Sequence, residues 1–465
     1  MDPGRDEEAY EGTTALVVGA ARSGIAATRF LLSRGARVVL SDTKGEEALH
    51  KAIAPLRELA RHGELTLELG GHQAESFRRC DFVVVSPGVP LSLECFDESR
   101  KAGIPILAEV ELAYRHLKGK VVAITGTNGK TTTTTLVGEL LLGAGLKGHV
   151  AGNIGTPLIS YAASSSPDDL YAVELSSFQL EAIHEFRPAV ASILNLTPNH
   201  LDRYAGFDDY VEAKRRIFMN QKSTDFAVLN ADHPPTASLA AEVKATAVLF
   251  SRRADVARGT FVQDDRLVYR DDGGDVELFR KDDIALRGDH NLENVLAAST
   301  IALLAGAAPQ TMRQVVRSFK GVEHRLEWVA EIDGVQYFND SKATSVDATI
   351  KSLEAFPGNI HVILGGRDKA GDFILLRPLV ERKVKHVLLL GEAAGKIRKA
   401  LAGAAETTEV KDFREAVQLC RRHSTAGDVV LLAPACASFD MFEDYEQRGR
   451  VFKEAVYELK KDKVN

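Results

Sequence analysis

The sequence predicts an α/β protein of three domains: N-terminal Rossmann-like, central P-loop ATPase-type α/β, and C-terminal Rossmann-like. Three observations point to this class. Short β-branched runs alternate with helical stretches in the first quarter of the chain and again after Gly321. Between them an apolar strand runs straight into Gly126-Thr-Asn-Gly-Lys-Thr131. Finally, 465 residues divided by about 150 per domain give roughly three cores. The expected domains are 1–113, 114–321 and 322–465.

In the first segment Ala15–Val18, Arg37–Leu40, Phe82–Val85 and Ile104–Leu107 read as buried parallel strands. The turn Gly19-Ala-Ala-Arg-Ser-Gly24 leads into a helix from Ile25 to Arg34, and Asp42 closes the second strand where a ribose-binding acid belongs. Ala21 replaces the middle glycine of the dinucleotide fingerprint. Its methyl group keeps a pyrophosphate at greater distance, which disfavours an NAD-dependent oxidoreductase and leaves another phosphate-bearing nucleotide or a purely structural turn.

In the second segment Gly126 and Gly129 let backbone N–H groups turn inward on phosphate. Lys130 offers charge to the β/γ-phosphates and Thr131 a hydroxyl to Mg2+. The loop is a variant, because the strict pattern places a glycine where Ile124 stands. Tyr171–Glu174 and Ala191–Asn195 read as further strands with polar ends. An acid ending a strand beside a phosphate loop is placed to hold Mg2+ with Thr131, which makes Glu174 a metal candidate. Ser176 or Ser177 reads as a helix N-cap. Asn199, His200 and Asp202 form a polar cluster past the next strand, and Asp209–Phe218 reads as an amphipathic helix carrying Lys214, which on local grounds could simply be solvated. Residues 252–285 suggest an antiparallel hairpin decoration. Asn291 and Asn294 lie one turn apart on the helix that follows, to read a base edge or to cap the helix; spacing alone does not choose.

In the third segment Val335–Phe338, Ile360–Leu364, His386–Leu390 and Asp428–Leu432 are strand candidates. Polar groups again cluster after strands: Asn339 to Thr344, Gly365 to Lys369, and Pro434 to Asp440.

The formal net charge of -7 gives no basic footprint, so nucleic acid is not an expected partner. Cys80, Cys95, Cys420 and Cys436 form no C-x-x-C pair and read as buried thiols in a reducing compartment. A polar N-terminus and the lack of a long apolar run predict a cytoplasmic protein with no membrane span.

The ordered motifs Gly126–Thr131, Asn153 in Gly-Asn-Ile-Gly, Glu174-Leu-Ser-Ser-Phe-Gln179, Asn199-His-Leu-Asp202, Asn291-Leu-Glu-Asn294, His324-Arg325 and Asn339–Thr344 together resemble the Mur ligase family, ATP-dependent amide-forming enzymes of peptidoglycan precursor synthesis. The resemblance spans nearly the whole chain. Within the family, Ser86-Pro-Gly-Val89, Ala435–Phe442 and Glu446–Gly449 are similar to the branch that adds D-glutamate to UDP-N-acetylmuramoyl-L-alanine.

The resemblance implies a UDP-sugar in the first domain, contacted by Ser23, Asp42, Thr43, Ser86 and Gly88, with Asn153 on the muramoyl part. It implies ATP held by Gly126, Thr127, Asn128, Gly129, Lys130, Thr131, Thr132, Asn294, Arg325 and Asp340. Two Mg2+ ions are implied on Thr131, Glu174, His200 and Lys214, with Lys214 carbamylated, because a protonated ammonium cannot ligate a cation. Lys130, His200 and Lys214 are the implied catalytic groups. D-Glutamate falls to Lys342, Thr344, Lys369, Ser438 and Tyr445, although Ser438 and Tyr445 also read as a helix cap and a core aromatic. Ser345 and Tyr445 depart from the family pattern, where asparagine and phenylalanine are frequent. A monomer is expected, with only small-molecule partners. Competing readings are another ligase of the superfamily, such as a folylpolyglutamate synthase, and a non-catalytic ATP-binding switch; the latter has no need of Glu174, His200 and Lys214 together.

Overall fold

The computed structural model describes residues 10–59, 63–198, 203–286, 288–368 and 371–461. The described residues build three sheets. The first contains β1 (Thr14–Val18), β2 (Arg37–Asp42), β3 (Leu65–Leu69), β4 (Phe82–Val85) and β5 (Ile106–Ala108), all parallel in the order β3-β2-β1-β4-β5. The chain reverses direction across this sheet between β1 and β4, so the loops after these strands open a crevice at their carboxyl ends.

The second sheet contains β6 (Lys120–Thr125), β7 (Lys147–Gly152), β8 (Asp169–Glu174), β9 (Val190–Ile193), β10 (Phe226–Asn230), β11 (Thr246–Ser251), β12 (Gly259–Gln263), β13 (Arg266–Asp271) and β14 (Gly274–Arg280). Their order is β14-β13-β12-β11-β10-β9-β6-β8-β7. The expected hairpin over 252–285 is instead three strands: β12 joins β11 in parallel, and only β13 and β14 turn antiparallel. Alternation along β6 serves both faces of this sheet. Val121 and Ala123 enter one core, and Val122 and Ile124 enter the other, beside the helices Lys130–Gly143 and Asp289–Leu304.

The third sheet holds β15 (Glu327–Ile332), β16 (Val335–Asn339), β17 (Ile360–Gly365), β18 (Val384–Leu390), β19 (Glu406–Glu409) and β20 (Val429–Leu432), ordered β15-β16-β20-β17-β18-β19. Only the β15–β16 pair is antiparallel. The expected strands are present with shifted ends. Ile104 lies outside β5, because Pro105 follows it and cannot donate to a ladder. Leu194 and Asn195 lie beyond β9. Of the cysteines, Cys80, Cys420 and Cys436 are buried, whereas Cys95 is only partly so.

The chain divides into two compact units, Met1–Phe319 and Lys320–Asn465. In the first unit the expected boundary between residues 113 and 114 falls inside the helix Glu109–His116. Two glutamates of this helix are almost wholly buried. Glu109 accepts the N–H of Ile159 at 2.7 Å, and burial pushes its carboxyl up to about 7. Glu111 accepts the N–H groups of His184, Glu185 and Phe186 at 2.9, 3.0 and 2.9 Å. Val110 and Leu112 lie in one apolar cluster with Leu16 and Val17 of the first sheet and Phe186 beside the second. The two sheets of this unit therefore share a continuous core.

Candidate active site

The phosphate loop leaves β6 at Thr125 and starts the helix Lys130–Gly143 at Gly129, whose φ of 81° is the left-handed conformation that glycine tolerates. A Cβ at Gly129 would also lie 2.2 Å from Asn294 Oδ1, so a side chain here would displace Asn294 as well as strain the backbone. Thr133 Oγ1 donates to the same Asn294 oxygen at 3.3 Å, and Asn294 Nδ2 donates to Asn291 Oδ1 at 3.2 Å. The two asparagines thus share a helix face, as their spacing predicts, and Asn294 lies against the phosphate loop.

The loop is clasped from β9's side. Asn128 N donates to Asn195 Oδ1 at 2.8 Å, and Asn195 Nδ2 returns a bond to Asn128 O at 3.1 Å. Thr127 Oγ1 accepts Thr197 N at 3.0 Å and lies 3.1 Å from Tyr210 OH. Lys130 Nζ donates to the carbonyls of Gly126 and Thr127, each at 2.9 Å.

Glu174 ends β8 and is 1% exposed. Its two oxygens accept Thr131 Oγ1 at 2.7 Å and Asn153 Nδ2 at 2.8 Å. Three candidates that are distant in sequence therefore meet at one carboxylate. Lys214, on the helix Phe207–Arg215, is 2% exposed and not solvated. Its Nζ donates to Thr125 Oγ1 at 3.1 Å, and Thr125 in turn donates to Leu175 O at 2.7 Å. Burial holds the Lys214 pKa well below the usual lysine range, and the nearby Lys130 charge adds to this while Glu174 opposes it. Ser176 caps the helix Ser177–Glu181 in a capping box with Gln179, so that serine has a structural task. His200, with Asn199 and Asp202, lies outside the described residues.

At the crevice of the first sheet, Asp42 accepts Ala20 N and Lys44 N at 2.7 and 2.8 Å, so its carboxylate shapes the loop after β1. Ser86 is buried and donates to Gly19 O at 2.9 Å. Gly24 is required there, since a Cβ on it would meet Gly19 O at 1.8 Å. Ser23 is half-buried, and Thr43 and Gly88 are exposed.

In the second unit, Asp340 follows β16 and donor contacts surround it. Ser352 Oγ donates to Asp340 Oδ2 at 2.5 Å, and Leu326 N bonds the same carboxylate. Burial nevertheless raises its carboxyl from the ordinary 3.8 to about 6. His324 and Leu326 both hold positive φ, 65° and 42°, a conformation that side chains other than glycine rarely adopt. Lys342 Nζ lies 3.8 Å from the centre of the Tyr445 ring, so Tyr445 is a cation's neighbour as well as a packing aromatic. Ser345 N-caps the helix Val346–Glu354, accepting Ala348 N at 3.3 Å. Thr344 is half-buried and Ser438 is buried after β20. The backbone carbonyl of Ser438 accepts Met441 N and Phe442 N in a turn, and the next helix begins only at Tyr445, so Ser438 does not stand at a helix start. Lys369 lies outside the described residues.

Residues that local reading missed include Thr125, Asn195, Tyr210 and Arg448. Arg448 is 2% exposed and donates to Ser341 Oγ, Ser341 O and Cys436 O at 3.0, 2.8 and 3.1 Å. The signal for Asn195 was present, as a polar residue ending an apolar run beside the phosphate-loop strand.

Three family models match successive parts of the chain: the Mur ligase MurD-like N-terminal domain over 13–108, the Mur ligase middle domain over 124–302, and the Mur ligase glutamate ligase domain over 324–436. A curated relative from Koribacter versatilis is 48% identical over 96% of this chain and 98% of its own length. The chain belongs to the Mur ligase family. That relative is named UDP-N-acetylmuramoylalanine--D-glutamate ligase, as is one from Acidobacterium capsulatum, 49% identical over 96% of each chain. Among solved Mur ligase structures, UDP-N-acetylmuramate-alanine ligase from Thermotoga maritima aligns with a TM-score of 0.58 at 19% identity, covering 96% of this chain and 99% of that one. A pseudomurein peptide ligase from Methanothermus fervidus aligns with a TM-score of 0.57 at 18% identity, covering 96% and 100%. At such identities the structural likeness speaks for the fold alone. Among the described residues of this Mur ligase, no helix is long and apolar enough to cross a membrane.

Proposed function

We propose that this chain joins UDP-N-acetylmuramoyl-L-alanine to D-glutamate at the expense of ATP, through an acyl phosphate. The observation that carries the chemistry is Glu174, at the end of β8, bonded to Thr131 beside the phosphate loop, with a buried lysine amine at the end of the neighbouring strand β6. The choice of amino acid rests on the full-length likeness to the two curated D-glutamate ligases.

The L-alanyl carboxylate is a poor acyl donor, because its leaving group is oxide. Its oxygen attacks the γ-phosphorus, a P–O bond forms, the bond to the β-phosphate oxygen breaks, and ADP leaves. The D-glutamate amine then attacks the activated carbonyl. The C–N bond forms, the C–O bond to phosphate breaks, and the amine loses a proton. Lys130, whose amine lies against the loop carbonyls of Gly126 and Thr127, supplies the cation for charge gathering on phosphoryl oxygens, where a fixed cation is most effective. Mur ligases are ATP-dependent and use Mg2+, and the donor set of a buried carboxylate and a threonine hydroxyl fits that ion. When bound, Mg2+ neutralises phosphate charge.

Lys214 fits this set only as an anion. A buried, neutral amine can attack CO2, forming an N–C bond and releasing one proton, and the resulting carbamate supplies an anionic oxygen. His200 belongs to the same proposal as a ligand of a second ion. The UDP-sugar falls to the first domain (1–113) through Ser23, Asp42, Thr43, Ser86 and Gly88, with Asn153 on its muramoyl part. ATP falls to the central domain (114–321) with Arg325 and Asp340. D-Glutamate falls to the third (322–465) through Lys342, Thr344, Lys369, Ser438 and Tyr445. The same reading makes the protein a cytoplasmic monomer.

ADP release with UDP-N-acetylmuramoyl-L-alanine should be fast with D-glutamate and slow with L-glutamate. Equal rates with both enantiomers, or none with either, would falsify the assignment.

Asp340 yields a second expectation. A carboxyl raised to about 6 keeps its proton in the fold longer than in the unfolded chain. Its ionisation therefore removes stability as pH climbs from about 4 to about 6, and the deficit is complete above that. Asp340→Asn should melt higher than the parent at pH 7, with the gain vanishing below about pH 4. The same variant should lose ligase activity. A variant that melts lower at pH 7 contradicts the burial argument, and full activity contradicts the assignment to ATP.

A further inference from the structure

At the amino-terminal edge of the third sheet, opposite the strand ends that carry Asp340 and Ser438, three histidines gather on one face. His361 lies on β17, His386 on β18, and His423 is the last residue of the helix Phe413–His423. The His361 and His386 ring centres are 6.2 Å apart, and those of His386 and His423 are 5.3 Å apart. Glu406 opens β19 directly opposite His386 in the parallel register. The ligand-capable atoms of His386, Glu406 and His423 all lie within 4.8 Å of one another.

His386 is 2% exposed. Its Nε2 lies 2.8 Å from Thr408 Oγ1, while its Nδ1 has no hydrogen-bond partner among the described residues. A buried imidazole nitrogen without a partner is costly and calls for explanation. A hydroxyl holding the far nitrogen is the arrangement that orients a metal-ligating histidine. Burial also lowers the His386 pKa, which favours the neutral, ligating form. Glu406 and His423 are exposed, so an ion has a path in. The grouping of Glu323, His324 and Glu327 is different, because Lys453 Nζ lies 2.5 and 2.8 Å from its two glutamates and supplies their cation.

We propose that His386, Glu406 and His423 bind a late first-row divalent cation, of the Zn2+ or Co2+ class, which ties the end of the helix Phe413–His423 to β18 and β19. Two imidazoles and one carboxylate suit such ions and not Mg2+, and three protein ligands leave one position for water. The site is separate from the ligase chemistry and does not rest on it.

Untagged full-length protein, kept in excess Mg2+ to occupy sites built for that ion, is titrated with Co2+ and followed by its visible absorption. One equivalent should bind, Zn2+ should displace it, and Zn2+ should raise the melting temperature. Both His423→Gln and Glu406→Gln, changed at exposed positions, should weaken Co2+ binding by at least about tenfold, abolish the melting shift, and leave ADP release unchanged. No bound Co2+ in the parent protein, or unaltered binding in both variants, overturns the proposal.

Discussion

Lys214→Ala is expected to lower ligase turnover about a thousandfold, the scale seen when one preorganised charge-stabilising group is removed. The side chain is buried beside Thr125, and Glu174 is close enough to influence its titration. If Lys214 acts as a carbamate, its loss removes an anion from the cation site, and formate or acetate added to the variant should restore part of the rate. Lys214→Arg should be as inactive as the alanine variant, since a guanidinium stays charged and cannot take up CO2. Bicarbonate labelled with 13C should give a carbamate resonance in the parent protein that is missing from both variants. Near-normal turnover in Lys214→Ala removes the residue from the mechanism. Inactivity with neither rescue nor a carbamate signal leaves the lysine required but rejects its modification.

Glu111→Ala is expected to destabilise the first unit by about 3 kcal/mol or more, the range for deleting one partner of a buried charged network. The carboxylate gathers three successive backbone N–H groups and also accepts Arg115 Nε at 3.2 Å. Without it those donors turn inward with nothing to accept them. Arg115→Ala should cost under about 1 kcal/mol, because the arginine is partly solvated and the backbone donors keep their acceptor. The contrast can be read in denaturant midpoints, and hydrogen exchange at residues 184–186 should quicken only in the glutamate variant. Equal costs for the two variants would place the stabilisation in the ion pair and not in the backbone nest. Because Glu109 and Glu111 both reach from one helix into segments beside the second sheet, a transplanted first domain needs that helix and its acceptors.

Much of this was legible because the informative groups sit at the ends of apolar strands. The phosphate loop, Glu174 and the asparagine pair are each marked by a local pattern, and the structure brings Gly129, Thr131, Glu174 and Asn294 together. The burial of Lys214 was not legible. A lysine on an amphipathic helix can face either way, and only the packing of that helix against the end of β6 decides. Thr125 illustrates the same limit. Nothing in its neighbours distinguishes it from an ordinary strand threonine, yet its hydroxyl joins Leu175 to Lys214 across the site. β7 and β19 are too polar or glycine-rich for an apolar run to announce them, and register against a neighbouring strand is what makes them strands.

The pair of hydrogen bonds between Asn128 and Asn195, with Thr127 held by Thr197 and Tyr210, has a thermodynamic meaning for nucleotide capture. Fixing one backbone residue costs about 1–2 kcal/mol in conformational entropy. For the turn at 127–128 that cost is met when the protein folds, by groups of the loop after β9 and of the helix Phe207–Arg215. The incoming triphosphate finds its cradle already cast, and its contact energy goes to grip and not to moulding.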